Sequence, residues 1–274
     1  MLSNSLRKYS IPSYLLAGLL LFGSACRHES RPTDSDSQPE IIVAAASNLT
    51  DSFPELAQEF TKQSGIKVVF SFGSTADLAK QIENGAPFDV FAAADVVHVS
   101  ALAEKGLITA GTARSYARGS LVIWVPPGSK IKLERLEDLT NNSVERIAIA
   151  KPDIAPYGQA AVETLRSLKI WQQVEPRVVY GMNVSQVRQF VSSGNAEVGF
   201  LPRSLIQAGQ GTQFEIDERL HQPIYQALGV VHASAKQDDA RRFTEFVISP
   251  AGQDILRKHG YRSATPTKYS ANSD

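Results

Sequence analysis

Neutral hydrogen-bond donors follow a buried strand and precede a helix at four places in the chain. At the first, the apolar run 41–46 ends in three alanines, Ser47 and Asn48 come next, and a helix is predicted from Phe53. The first turn of a helix leaves backbone N–H groups without partners, and the helix dipole adds partial positive charge, so such a turn favours an anion. Taken alone, Ser47 and Asn48 would more often cap the helix than bind a ligand.

The same arrangement recurs three times, which favours ligand binding over capping alone. Ser74 and Thr75 precede a second predicted helix, Tyr157 precedes a third, and Val184 offers its backbone N–H at the start of a fourth. In open parallel sheets such turns meet at the carboxyl ends of the strands, where ligands bind. The predicted ligand-binding residues are Ser47, Asn48, Ser74, Thr75, Tyr157 and Val184.

These turns offer hydrogen-bond donors, and no carboxylate is predicted to face them. Asp95, which follows another strand, is interpreted as a helix cap. A pocket of donors suits an oxyanion that is fully deprotonated, and sulfate, molybdate and tungstate meet that description near neutral pH. Hydrogen phosphate keeps a proton and would need an acceptor. Aligned peptide dipoles can hold the charge without arginine or lysine.

The motifs of common catalytic sites are absent from the sequence. It contains no G-x-S-x-G elbow, no Walker loop, no G-x-G-x-x-G after a strand and no H-E-x-x-H. None of the five histidines pairs at metal-ligand spacing with another histidine or with the single cysteine. Ser47 has no base spaced to activate it as a nucleophile. We therefore expect no enzyme activity, no cofactor and no direct metal ligands, and an extracytoplasmic phosphate-ester hydrolase is the less favoured alternative.

The amino-terminal residues predict export from the cytoplasm. Arg7 and Lys8 precede an apolar run, and small residues lead to Cys26, so residues 1–26 form a predicted signal peptide. The segment resembles the lipobox of bacterial lipoproteins, in which the cysteine is acylated, although Gly23 stands where leucine is usual. A simple export signal is the alternative. The polar residues 27–39 are predicted to form a flexible tether.

The rest of the chain predicts an α/β protein. Its 274 residues are 43% hydrophobic and carry no formal net charge, which gives no indication of nucleic acid as a partner. Short β-branched runs alternate with amphipathic helical stretches, which indicates mainly parallel sheets. Residues 207–222 are interpreted as a loop. Crossovers near 120 and 226 predict one lobe from 40–119 with 227–266, a second from 120–226, and a tail at 267–274.

Several blocks together resemble the ModA family, the periplasmic molybdate-binding proteins that serve ABC importers. They are the segments 43–48, 81–91, 154–158, 184–191 and 197–200. The resemblance implies a type II periplasmic-binding fold, with two α/β lobes joined by crossover strands and an oxyanion held between them. It also implies ligand contacts at Ser47 with Asn48, Thr75 with Ser74, Tyr157, and the backbone amide of Val184. Some members add a tyrosine where this chain has Pro202, and Tyr157 is expected to compensate.

The resemblance implies a solute-binding component that captures molybdate or tungstate and delivers it to a membrane permease with its cytoplasmic ATPase. We expect a monomer in the periplasm or on the outer face of the cell membrane, held there only through a lipid on Cys26. Another tetrahedral oxyanion such as sulfate is the alternative ligand. A sensor that docks on a membrane receptor would have the same sequence features.

Overall fold

The computed structural model describes residues 38–264, which form two five-stranded sheets flanked by helices. The α/β fold class expected from the sequence is confirmed. The predicted signal peptide, Cys26, most of the tether and the predicted tail lie outside the described residues. Within residues 38–264, no helix is both long and apolar enough to cross a membrane.

The first sheet has the strand order β2-β1-β3-β10-β4. Strand β1 is parallel to β2 and β3, whereas β10 is antiparallel to β3 and β4. The strands are β1 (Glu40–Ala46), β2 (Lys67–Gly73), β3 (Val90–Ala92), β4 (Arg114–Gly119) and β10 (Ile224–Val230). The helices of this half, which we call lobe I, are α1 (Phe53–Ser64), α2 (Thr75–Glu83), α3 (Val97–Glu104), α7 (Gln237–Ile248) and α8 (Pro250–Lys258).

The second sheet has the strand order β7-β6-β8-β5-β9 and belongs to the half that we call lobe II. Strand β6 is parallel to β7 and β8, whereas β5 is antiparallel to β8 and β9. The strands are β5 (Leu121–Val125), β6 (Ile147–Ala150), β7 (Val178–Gly181), β8 (Val198–Pro202) and β9 (Thr212–Glu215). The helices are α4 (Pro156–Ser167), α5 (Trp171–Val174) and α6 (Val184–Ser192). The chain passes between the sheets twice, after Gly119 and before Ile224.

Two expectations from the sequence need correction. The sheets are mixed rather than mainly parallel, because the strands next to both crossovers pair antiparallel to their neighbours. The predicted loop 207–222 contains β9, and β4 was not predicted at all. Both strands carry polar or charged residues, and β9 has no residue that is fully buried. Their pairing with β10 and β5 makes them strands, and local apolar periodicity does not reveal such pairing.

The sequence pattern predicts that three helices begin at Leu78, Gln159 and Gln186. Each of them begins earlier, and the difference matters for the site. Helix α2 begins at Thr75, with the Ser74 hydroxyl accepting from the Asp77 N–H. Helix α4 begins at Pro156, a residue favoured at the first helical position because its missing N–H would have no partner there. Helix α6 begins at Val184. Thr75, Tyr157 and Val184 therefore lie within the first turns of their helices.

Candidate functional site

A small cavity lies between the two lobes, where β1 and β2 of lobe I end opposite the starts of α4 and α6. Its volume is about 10 Å³, about the room that one water molecule needs and far less than the roughly 300–1,000 Å³ of pockets that hold drug-sized organic ligands. All six residues predicted from the sequence line it. The lining residues are Ala46, Ser47, Asn48, Gly73, Ser74, Thr75, Ala94, Ala155, Pro156, Tyr157 and Val184.

Helix starts from both lobes supply backbone donors to this cavity. Lobe I contributes the start of α2 and a short 3-10 helix, Ser47–Leu49, that follows β1 directly. Lobe II contributes the starts of α4 and α6. The N–H groups of Thr75, Tyr157 and Val184 belong to first turns, where the helix itself offers no acceptor. Four helical segments thus direct partial positive charge at one small space.

The hydroxyl groups of Ser74, Thr75 and Ser47 have different roles. Ser74 Oγ donates to Asp77 Oδ2 over 2.6 Å and accepts from Asp77 N over 3.3 Å, so its proton is engaged in capping α2. Thr75 Oγ1 accepts from Ala94 N over 3.1 Å, which leaves the Thr75 proton available to a ligand. Ser47 is buried at the cavity wall, and its carbonyl accepts from Ser185 Oγ of lobe II over 3.3 Å. Ser47 and Thr75 are therefore the better hydroxyl donors.

The side chains of Asn48 and Tyr157 are held by a buried hydrogen-bond network beside the cavity. Asn48 Nδ2 donates to Gln226 Oε1 and to the Tyr261 hydroxyl, both over 2.9 Å. The Tyr157 hydroxyl accepts from Gln226 Nε2 over 2.8 Å. Burial raises the pKa of the Tyr157 hydroxyl well above its usual value, so this group stays neutral. Both protons of the Asn48 amide are used, so Asn48 offers a ligand chiefly its backbone N–H. The Tyr157 hydroxyl accepts from Gln226, which leaves its own proton available to a ligand.

Charged side chains stay outside the cavity. Among residues 38–264, no lysine, arginine, aspartate or glutamate lines it, and no group of three histidine, cysteine or acidic residues could hold a metal ion. Asp95, interpreted from sequence as a cap, accepts from His98 N over 3.0 Å at the start of α3. Asp51 lies nearby but pairs with Arg188 of lobe II over 2.7 Å. The site is therefore a neutral cage of donors.

Sequence reasoning missed the residues behind the cavity. Gln226, Tyr261 and Ser204 are buried and contact Asn48, either at its side chain or at its backbone carbonyl. One signal was present in the sequence, because Gln226 is a polar residue inside the otherwise apolar strand β10. Pro202 ends β8 and is buried, and it is not among the cavity-lining residues. The structure therefore gives it no ligand contact in place of the tyrosine that some relatives have.

Comparison with known proteins agrees with this geometry. Residues 41–262 match the sequence model of a family described as bacterial extracellular solute-binding protein. The molybdate-binding protein ModA of Rhodobacter capsulatus is 33% identical over 223 residues, which cover 81% of this chain and 88% of that protein. The chain belongs to the ModA family of solute-binding proteins. The resemblance inferred from the sequence blocks is thereby confirmed.

Solved structures of this family share the fold. The periplasmic molybdate-binding protein of Azotobacter vinelandii superimposes with a TM-score of 0.78 at 31% identity, covering 82% of this chain and all of that one. The sulfate-binding protein SubI of Mycobacterium tuberculosis has a TM-score of 0.70 at 16% identity, covers 82% of this chain and 87% of that one, and shows the fold alone. The ModA family consists of transport components, in agreement with the expectation that the chain is not an enzyme and needs no cofactor.

Proposed function

We propose that this ModA family member captures molybdate or tungstate outside the cytoplasm and delivers it to an ABC transporter permease. The observation that carries the proposal is the cavity itself, a neutral cage of helix starts from both lobes with no charged side chain among the described residues that line it. Such a cage suits a fully deprotonated oxyanion. The choice of molybdate comes from the relatives, which are molybdate-binding proteins.

Size is the basis for choosing among oxyanions. Sulfate has the same tetrahedral shape and also accepts at every oxygen, but it is smaller than molybdate. We expect the donors of the two lobes to be spaced for the larger ion, so that fewer of them reach sulfate at hydrogen-bond distance. Hydrogen phosphate brings a proton, and the lining offers mainly donors. We expect molybdate and tungstate to bind alike, because they differ little in size.

Isothermal titration of the processed chain, residues 27–274, with molybdate, tungstate, sulfate and phosphate tests this proposal. Tight one-to-one binding of the first two ions, with none of the others, supports it. Binding of sulfate alone would support the alternative ligand and overturn the proposed one. Phosphate-ester hydrolysis with turnover, rather than stoichiometric binding, would favour the enzyme alternative.

Substitution of the hydroxyl donors tests the site. Ser47→Ala and Thr75→Ala should each weaken molybdate binding about tenfold to a hundredfold, because a hydrogen bond to a charged group contributes about 1.5–3 kcal/mol. Ser100→Ala, on α3, is the control and should bind as the wild type does. Unchanged affinity in both site variants would show that the assigned donors are wrong.

We also propose that Cys26 carries a lipid and that residues 27–39 tether the domain to the membrane. The putative ABC transporter substrate-binding lipoprotein YvgL of Bacillus subtilis supports this, since it is 27% identical over 258 residues that cover 93% of this chain and 98% of that protein. Cys26→Ser should move the protein from the membrane fraction to the soluble fraction. An unchanged distribution would favour a simple export signal.

We further propose that the protein works as a monomer with two lobes and a tail at 267–274. We place the second boundary between the lobes before Ile224 rather than at the predicted 226, because β10 belongs to the sheet of lobe I. Two crossovers and one intact cavity within a single chain support a monomer, because no second copy is needed to complete the site. Light scattering after size exclusion should give the mass of one chain, with or without molybdate. Stimulation of the permease ATPase by the loaded protein would distinguish a transport component from a sensor.

A further inference from the structure

Gln226 touches both halves of the site without lining the cavity. It lies on β10 beside the second crossover and is completely buried. Its Oε1 accepts from Asn48 of lobe I over 2.9 Å, and its Nε2 donates to the hydroxyl of Tyr157 of lobe II over 2.8 Å. A third contact joins Oε1 to the Tyr116 hydroxyl over 2.8 Å. One amide therefore connects a cavity residue of each lobe.

The orientation of this amide follows from a chain of donors and acceptors. The chain starts at the backbone carbonyl of Asn48, which can only accept and takes the Tyr261 hydroxyl proton over 2.7 Å. The Tyr261 oxygen must then accept, so Asn48 Nδ2 faces it over 2.9 Å. The other Nδ2 proton points to Gln226, which must present Oε1 there. Gln226 Nε2 is thereby left to donate to Tyr157.

The bond between Gln226 and Tyr157 lies beside the first crossover between the lobes. Gly119 is the last residue of β4, directly before the first crossover, and the Tyr157 hydroxyl packs against it so closely that a Cβ atom there would lie 1.9 Å from the oxygen. The same Cβ would lie 2.7 Å from Gln226 Nε2. The bond between Gln226 and Tyr157 therefore fixes the first turn of α4 against lobe I at the hinge.

We propose that Gln226 is a positioning residue for oxyanion binding, which holds Asn48 and Tyr157 at the separation at which the backbone donors of both lobes reach one ion. The inference rests on the proposed function. Glutamine suits this place because its amide supplies an acceptor and a donor without charge. Leucine would leave the buried Asn48 amide and Tyr157 hydroxyl without these partners. Glutamate would put a negative charge behind an anion site.

Titration of the processed chain with molybdate tests the role of Gln226. Gln226→Leu should weaken binding at least tenfold, and Tyr157→Phe should weaken it through loss of the same contact. The double variant should bind less weakly than the sum of the two single losses predicts, because both changes remove the same Gln226–Tyr157 bond. Gln253→Leu is the matched control, since Gln253 donates to the carbonyls of Tyr116 and Val247 away from the cavity, and its affinity should not change.

A pH profile of Gln226→Glu gives a readout that a merely structural role would not produce. The titratable groups facing this position are the hydroxyls of Tyr116, Tyr157 and Tyr261, whose pKa values are raised by burial, and Asp95 is the nearest carboxylate to Tyr116. Below the pKa of the new carboxyl, the protonated group can donate to Tyr157, and binding should approach that of the wild type at pH 5.5. Affinity should fall between pH 5.5 and 8.5, while the wild-type profile stays flat.

Three outcomes separate the inference from the proposed function. A wild-type chain that binds none of the oxyanions overturns the proposed function. A wild-type chain that binds molybdate, with Gln226→Leu folded and within twofold of it, overturns only the positioning role. If Gln226→Leu does not fold, the Gln226→Glu profile decides, and a flat profile overturns the inference.

Discussion

An ion pair across the lobes should slow the release of the bound oxyanion. Arg188 Nη1 lies 2.7 Å from Asp51 Oδ2 and donates to the Leu205 carbonyl over 3.1 Å. Asp51 follows Ser47 by one short turn in lobe I, and Arg188 lies one helical turn after Val184 on α6. The pair therefore joins the two segments that carry cavity residues. We expect it to break when the lobes separate, because its two partners lie on different lobes.

The size of the effect follows from the burial of the pair. Exposed pairs contribute about 0.2–1 kcal/mol, whereas removal of one partner of a buried pair costs about 3–5 kcal/mol. The side chains of Arg188 and Asp51 are 32% and 16% exposed. We therefore expect that loss of the pair weakens the free energy of molybdate binding by a value between these limits, about 1.5 kcal/mol. Since about 1.4 kcal/mol is tenfold in a dissociation constant, Arg188→Ala should raise the Kd for molybdate about tenfold.

The change should appear in the dissociation rate, because most changes in affinity at one interface do. Stopped-flow release of molybdate from Arg188→Ala, Asp51→Ala and the double variant gives these rates, and the double variant should be little faster than either single variant. Raising the salt concentration should narrow the difference from the wild type, because the pair is partly exposed. Arg146→Ala is the control, since Arg146 pairs with Glu197 over 2.9 Å within lobe II. Equal release rates for wild type and Arg188→Ala, or equal losses in Arg188→Ala and Arg146→Ala, would refute the reasoning.

Two further predictions concern the hinge and the pH dependence of stability. Gly119→Ala should weaken molybdate binding at least tenfold in calorimetry, because its Cβ would lie 1.9 Å from the Tyr157 hydroxyl oxygen. The double variant Gly119→Ala with Tyr157→Phe should have a higher melting temperature than Gly119→Ala alone. Equal melting temperatures would contradict this cause. The hydrogen bond to Asp95 raises the pKa of His98 above 6.5, so its stabilisation is complete below that value and is lost as the pH rises through the raised pKa. In urea unfolding, the unfolding free energy of His98→Gln should be about 1 kcal/mol below that of the wild type at pH 5.5. At pH 9 the two free energies should be equal. An equal loss at both pH values would contradict the role given to protonated His98.

Local sequence pattern is enough to find residues at helix starts. Ser47, Thr75 and Val184 each follow a strand that the apolar runs indicate, and the geometry of a strand leading into a helix places them at one end of a sheet. The pattern also gave one capping residue, since Asp95 Oδ1 accepts from His98 N over 3.0 Å. These features depend on residues within a few positions of one another, so a single sequence contains them.

The residues behind the cavity could not be found in this way. Asn48 contacts Gln226 and Tyr261 at separations of 178 and 213 positions, and no local periodicity encodes such contacts. The same holds for the partner of the Tyr157 side chain. Its hydroxyl oxygen accepts from Gln226 because the second crossover returns β10 beside α4, and this follows only from the complete topology.

The arrangement of charge explains why the site can close around its ion and also release it. Helix starts from both lobes bring partial positive charges together, so closure of an empty cavity is opposed by their mutual repulsion. A bound dianion attracts the helix starts of both lobes, so the electrostatic energy then favours closure. Because the dianion binds the closed state better, it shifts the equilibrium between open and closed lobes toward the closed state. The bonds between Asp51 and Arg188 and between Gln226 and Tyr157 favour closure without touching the ion. Their strength therefore influences how much of the empty chain is closed, and the apparent affinity falls with that closed fraction, because a closed chain must reopen before it admits an ion.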